Sequence, residues 1–138
     1  MSKATSRQGS DTADGMPDQV QAVVRAARDK KAEDLVVLDL RALQSFTDYF
    51  VICSGRNARQ VQAIADAVEE SLRTNQVKPA HVEGYERAEW VLLDYFDFVV
   101  HVFHPDTRDF YGLERLWGSA ERTEVAPPEA ATPAARGR

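Results

Sequence analysis

Four groups of residues in this chain have types and spacings that could do chemistry. Ser54-Gly55 closes an apolar run and leads into a helical pattern, a junction whose backbone N–H groups could cradle a phosphate. Neither G-x-x-x-x-G-K-[ST] nor G-x-G-x-x-G accompanies it, and a strand–turn–helix junction exists equally well without a ligand. Asp94 and Asp97 are the carboxylates that a Mg²⁺-dependent nucleotidyl transfer would use. Such a site wants alternate residues on one strand face, whereas these two flank a turn and read equally as its solvated polar groups. His101, His104 and Asp106, with His81, could be gathered around a metal. His101 and His104, however, are three apart on an extended run, so their side chains point to opposite faces. Cys53 has no basic neighbour before Arg56 and reads as a buried, inert thiol. These residues call for no cofactor and no metal.

Charge says more. Residues 83–114 hold eight acids and two bases, a net −6, against −5 for the whole chain. The same stretch carries Tyr85, Trp90, Tyr95, Phe96, Phe98, Phe103, Phe110 and Tyr111. Its two apolar runs, 89–95 and 97–103, make a hairpin with Asp94-Tyr95-Phe96-Asp97 at the tip. Tight tips favour Asn-Gly or Gly-X, because φ must turn positive there. Two aromatics framed by acids suit an interface anchor with a charged rim, and the partner would be basic. The competing reading folds one of the two rings onto the core.

The elements that must position these groups follow from periodicity. Pro17-Asp18 opens a helix with Val20, Val23, Val24 and Ala27 on one stripe. Residues 35–40 and 48–55 are short β-branched runs. Asn57 is a helix N-cap, and Val61, Ile64, Ala65, Val68 and Leu72 hold one face to about Gln76. Pro79 and Gly84 mark a loop or a short edge strand. Asp106 is placed to cap a last helix carrying Phe110, Leu113, Leu116 and Trp117, stopped by Gly118. The order is α-β-β-α-β-β-α, an α/β single domain with a mixed four- to five-stranded sheet and helices packed on it. The run at 48–55, the long helix and a strand near 89 should form a right-handed parallel crossover.

Length and composition bound the rest. At 138 residues, 43% hydrophobic and 28% charged, the chain makes one domain of ordinary globular composition. Residues 1–16 and 119–138 lack apolar periodicity and read as disordered tails around a folding unit at 17–118. An acidic chain is a poor coat for nucleic acid, so no direct, sequence-specific nucleic-acid binding is expected. No apolar run is long enough to span a bilayer, and no membrane partner is expected. The N-terminus has no secretory h-region, and Asp11, Asp14 and Asp18 argue against a transit peptide. The expected compartment is the cytoplasm.

Several blocks of this sequence resemble the ribosomal silencing factor family, also called Iojap-like. They are Thr47-Asp48-Tyr49-Phe50-Val51-Ile52-Cys53-Ser54-Gly55, Arg59-Gln60-Val61 with Ile64-Ala65, and Glu83-Gly84. Trp90 with Leu93-Asp94, Asp97 with Val99-Val100-His101, and Phe110-Tyr111 with Leu113-Glu114-Arg115-Leu116-Trp117 complete them. The resemblance implies an α/β fold related to nucleotidyltransferases but used without that chemistry. It implies a translational repressor, not an enzyme, that binds the large ribosomal subunit through a basic protein on its intersubunit face. Bound there, such a protein keeps the small subunit from joining when nutrients are scarce. Organellar relatives assist large-subunit assembly, and free members are often homodimers. The family's binding surface involves the hairpin, which makes Trp90, Leu92, Asp94 and Asp97 contact candidates here, with Tyr95, His101 and Glu114 beside them. Trp90 has a second reading, as core packing. The rival functions are a Mg²⁺-dependent nucleotidyltransferase-like enzyme, a large-subunit assembly factor and a dimeric adaptor unconnected with ribosomes.

Overall fold

A computed structural model describes residues 15–126. The chain runs α1 (Asp18–Asp29), β1 (Glu33–Asp39), a 3-10 turn (Arg41–Leu43), β2 (Tyr49–Ser54) and α2 (Ala58–Arg73). It continues through β3 (His81–Glu83), β4 (Trp90–Asp94), β5 (Phe98–Phe103), α3 (Pro105–Tyr111), α4 (Leu113–Leu116) and β6 (Glu121–Glu124). The strands form one six-stranded sheet in the order β3-β4-β5-β2-β1-β6. Only β2 and β5 pair in parallel; every other neighbouring pair is antiparallel.

Two apolar layers explain why the strands read as unbroken hydrophobic runs. Val37, Val51, Cys53, Val91, Leu93, Val100 and Val102 face α1 and α2, whose stripes of Val20, Val23, Val61, Ile64, Val68 and Leu72 are buried against them. The alternate residues Val36, Leu38, Phe50, Ile52, Val99 and Phe103 face the other way, beneath Leu43, Leu113, Trp117 and Ala120. A strand covered on both faces has no polar side to show.

Local chemistry sets the helix ends. Asn57 caps α2 as expected, its Oδ1 accepting from the Gln60 N–H at 2.9 Å. Gly55 is dictated by packing: a Cβ there would lie 2.8 Å from the backbone N of Val61, so only glycine lets α2 sit this close to the end of β2. The cap of α3 differs from expectation. His104 takes the N-cap position, with Nδ1 accepting from Asp106 N–H at 3.3 Å, and Pro105 fills the first turn. The predicted last helix is two short ones, broken at Gly112 with φ +57°. Phe110 and Leu116 therefore point to solvent, while Leu113 and Trp117 pack on the sheet.

Three further expectations are corrected. The parallel neighbour of β2 is β5, not the strand near 89, because β4 is turned to the outside of β5. The sheet has six strands where four or five were expected. The additional one, β6, falls in the stretch read as a C-terminal tail: Glu121–Glu124 pair with β1, and Val125 is buried with its N–H donating to Leu35 O at 2.9 Å. Backbone pairing holds this strand with almost no inward apolar side chain, so its sequence carries no period. Met16 and Ala120, also read as tail, pack against the two apolar layers, and residues 1–14 and 127–138 lie outside the described residues.

The hairpin tip is tightly held. Tyr95 N–H donates to Phe98 O at 2.9 Å, Phe96 N–H to Asp94 Oδ1 at 2.9 Å, and Thr47 Oγ1–H to Phe96 O at 2.8 Å. Phe96 has φ +74°. For a bulky L-residue the left-handed region costs about 1–2 kcal/mol.

Candidate functional site

Strand alternation puts Trp90, Leu92 and Asp94 of β4 on the face away from α1 and α2. His101 lies opposite Leu92 on β5. Trp90 is half-buried. Its indole N–H donates to His101 Nδ1 at 3.1 Å, and its ring centroid stands 4.9 Å from both Phe103 and Tyr111. His101 is only 3% exposed, and burial pushes its pKa down to about 3, so the imidazole is neutral. With Nδ1 accepting from Trp90, the ring proton belongs on Nε2, which is buried with no hydrogen-bond partner.

The ring contacts continue in both directions. Phe50 meets His101 edge-on at 4.6 Å, Trp117 at 5.5 Å and Phe46 at 6.1 Å. At the other end Tyr111 meets Phe110 at 5.0 Å. An aromatic band thus runs Phe46–Phe50–His101–Trp90–Tyr111–Phe110. Its middle is buried or half-buried, and its ends are open: Phe46 is 75% exposed and Phe110 78%. Tyr111 within the band is exposed as well, and so is Leu116 of α4. Asp97, Asp106 and Asp109 are exposed and Asp94 is half-buried. Large apolar groups left open next to acids form a surface suited to a basic protein.

The predicted residues do not all lie there. Trp90, Leu92 and Asp94 share the sheet face, with Asp97 at the tip. Tyr95 turns inward: it is 7% exposed and stacks on Phe98 at 5.0 Å in the helix-covered core, so its ring has no face to offer a partner. Phe96 takes the outward place, 74% exposed. His101 is beneath the surface, supporting Trp90 from below. Glu114 is engaged inside the fold. Arg108, 8% exposed, gives it two parallel bonds, Nε to Oε1 at 3.0 Å and Nη2 to Oε2 at 2.9 Å. Arg122 of β6 approaches the same carboxylate at 3.3 Å. Hydrogen bonding from Arg108 holds the Glu114 carboxyl below its usual range. Sequence reasoning missed Phe46, a single ring in a polar loop. It also missed the Arg108 lock, for which the one hint was a lone arginine in an acidic stretch.

The cleft that an enzyme would use is a different place. About 980 Å³ of open space adjoins Ser54, Arg56, Arg108, Glu114 and Arg122 at the end of β2. The groups that would hold a phosphate there are engaged. Ser54 Oγ accepts from Arg108 Nη1 at 2.9 Å, Gly55 N–H donates to Phe103 O at 2.9 Å, and Arg56 N–H to Gln60 Oε1 at 2.6 Å. Two of the cations lining it are matched by acids, Arg56 with Glu33 at 3.7 Å and Arg122 with Glu124 at 3.1 Å. Asp94 Oδ1 accepts from the Phe96 N–H of the turn at 2.9 Å. His101 and His104 are separated as expected, one under Trp90 and one capping α3. Among the described residues, no three His, Cys, Asp or Glu side chains come together as a metal cage. Cys53 is buried among apolar groups, which pushes its thiol up to about 12.

Comparison with known proteins identifies the family. The model of the family described as "Ribosomal silencing factor during starvation" matches residues 13–138. The ribosomal silencing factor RsfS of Halalkalibacterium halodurans is 44% identical over 106 residues, 77% of this chain and 91% of that protein. A mouse protein named "Mitochondrial assembly of ribosomal large subunit protein 1" is 30% identical over 101 residues, 71% of this chain and 44% of its own. A crystal structure of a Chromobacterium violaceum protein superposes with a TM-score of 0.71 at 35% identity, over 80% of this chain and 93% of that one. The chain belongs to the ribosomal silencing factor family.

Proposed function

We propose that this chain is a non-enzymatic translational repressor of the cytoplasm. It binds a basic protein on the intersubunit face of the large ribosomal subunit and sterically blocks the small subunit from joining, slowing translation in nutrient limitation. The observation that carries this reading is the aromatic band through Trp90, open at Phe46 and Phe110 and bordered by acids. An acidic border speeds encounter with a cationic protein and discourages nonspecific adhesion to RNA phosphate. Trp90 and Leu92 supply the apolar contact, and Asp94 and Asp97 meet Lys or Arg of the partner. In this reading a nucleotidyltransferase-like scaffold serves binding and not catalysis. The free protein pairs with a second copy.

A large-subunit assembly role is the second reading, favoured by the name of the mouse relative. Sucrose-gradient fractionation of lysate separates the possibilities. A repressor is found in the large-subunit peak and not in 70S particles or polysomes, and added to purified subunits it lowers the 70S yield. An assembly factor leaves subunit joining unchanged but sediments with immature large particles. Absence from all ribosomal fractions removes both and leaves the adaptor.

A further inference from the structure

We infer that Phe96 is an anchor that inserts into an apolar pocket of the same basic partner, and that the hairpin tip is built to present it. This rests on the ribosomal reading above and names a contact which that reading does not contain. Three observations carry it. First, Phe96 stands at φ +74°, where glycine or asparagine is at ease and a phenylalanine is not. Second, its ring is 74% exposed, so the strained position is not repaid by burial within the chain. Third, the tip is fixed in this geometry from several directions. The Phe96 N–H is held by Asp94 and its C=O by buried Thr47, while Asp48 N–H donates to Asp97 O at 3.0 Å. Tyr95 is folded under as a base, stacked on Phe98.

A locked, strained turn that offers one large ring to solvent is arranged for something outside the fold. The chemistry of that partner is indicated by the neighbours. Asp97 is exposed next to the ring and Asp94 precedes it, so the pocket Phe96 enters is apolar and has cationic edges. Phe46, 75% exposed, is joined to the tip through the bond between its neighbour Thr47 and Phe96 O. That bond ties the tip to the loop that carries one end of the aromatic band. With the backbone of the tip already fixed, little further backbone ordering is lost on binding.

Opposite changes in stability and binding test the inference. Phe96→Asn relieves the backbone and removes the ring, while Phe96→Tyr keeps both ring and strain. Full-length wild type and variants are titrated against purified large subunits by pelleting, melted by calorimetry and sized by light scattering. The expected result for Phe96→Asn is a melting temperature unchanged or raised by about 2–6 °C with binding weakened about tenfold or more. Phe96→Tyr should stay within about threefold of wild type in binding. Wild-type binding by Phe96→Asn, or a lowered melting temperature in it, overturns the inference. So does conversion of a dimer to a monomer by Phe96→Asn, which would assign the ring to a second copy. A wild type that fails to pellet overturns the ribosomal reading and this inference together; a wild type that pellets alongside an unaffected Phe96→Asn overturns this inference alone.

Discussion

Trp90→Ala is the substitution on which the surface and the fold make competing demands. Sequence allows Trp90 as contact or as core, and the structure packs it only halfway into the fold, so one substitution tests both. The ring is half-buried between Phe103 and Tyr111, each at 4.9 Å, and its N–H satisfies His101 Nδ1. Truncating a fully buried tryptophan costs about 3–5 kcal/mol. Half burial brings this to about 2 kcal/mol, and the orphaned imidazole nitrogen adds up to about 1 kcal/mol where water does not replace the indole. The total of about 2–3 kcal/mol should lower the melting temperature by roughly 8–15 °C in a domain of this size. Binding must therefore be measured where the variant is still folded, near 20 °C, with circular dichroism as the control. There the affinity for large subunits should fall about 30-fold or more. Trp90→Phe should recover most of the binding but keep the part of the destabilisation due to His101. A melting temperature within 2 °C of wild type for Trp90→Ala would refute the packing geometry. Full affinity in the folded variant would refute the assignment of the face.

The charged rim is tested with Asp94→Asn and Asp97→Lys together, because asparagine keeps the acceptor that holds Phe96 N–H. Affinity should drop about tenfold at low salt, with a shallower salt dependence and an unchanged melting curve; equal salt slopes would exclude the acids from the interface. Glu114→Gln leaves the buried Arg108 guanidinium without its carboxylate and should cost about 2–3 kcal/mol, less than a fully buried pair because the glutamine oxygen still accepts one bond and the site is partly open to solvent. Urea unfolding measures it, and a loss under 0.5 kcal/mol would show the lock to be dispensable. The His101 pKa is depressed in the fold, so between about 6.5 and 3 the unfolded chain holds one more proton than the native one. Stability should fall with acid by about 1.4 kcal/mol per pH unit in that window from this group alone. His101→Gln should flatten the dependence between pH 6 and pH 5, above the range where the Glu114 pair begins to titrate. An unchanged slope in the variant would mean that His101 is solvated in the native state.

What sequence could show tracks what each element needs from its own residues. α2 was legible because Asn57 and the Val61-to-Leu72 stripe are local signals, and β2, β4 and β5 because burial on both faces demands continuous apolar runs. β6 was not, since Glu121–Glu124 contribute hydrogen bonds and ion pairs but no inward apolar row. The exchange of partners at β2 is a matter of strand order, on which periodicity is silent. The same divide runs through the site. Trp90, Leu92 and Asp94 share a face by simple alternation. Which ring of Tyr95-Phe96 goes outward depends on the sign of one backbone dihedral, and the Arg108–Glu114 pair depends on the break at Gly112.

The pairing of β1 with β6 has a consequence for how the chain comes to be. β1–β2 and β4–β5 join close neighbours in sequence, and each can collapse early. Val36 meets Glu124, about 90 residues later. During synthesis the outer edge of β1 therefore stays open until almost the whole domain has left the exit tunnel. A chain truncated before Glu121 keeps an unpaired edge able to recruit a foreign strand. That edge can close only once Glu121–Glu124 have emerged, and the contact of Arg122 with Glu114 then ties β6 to the rest of the fold.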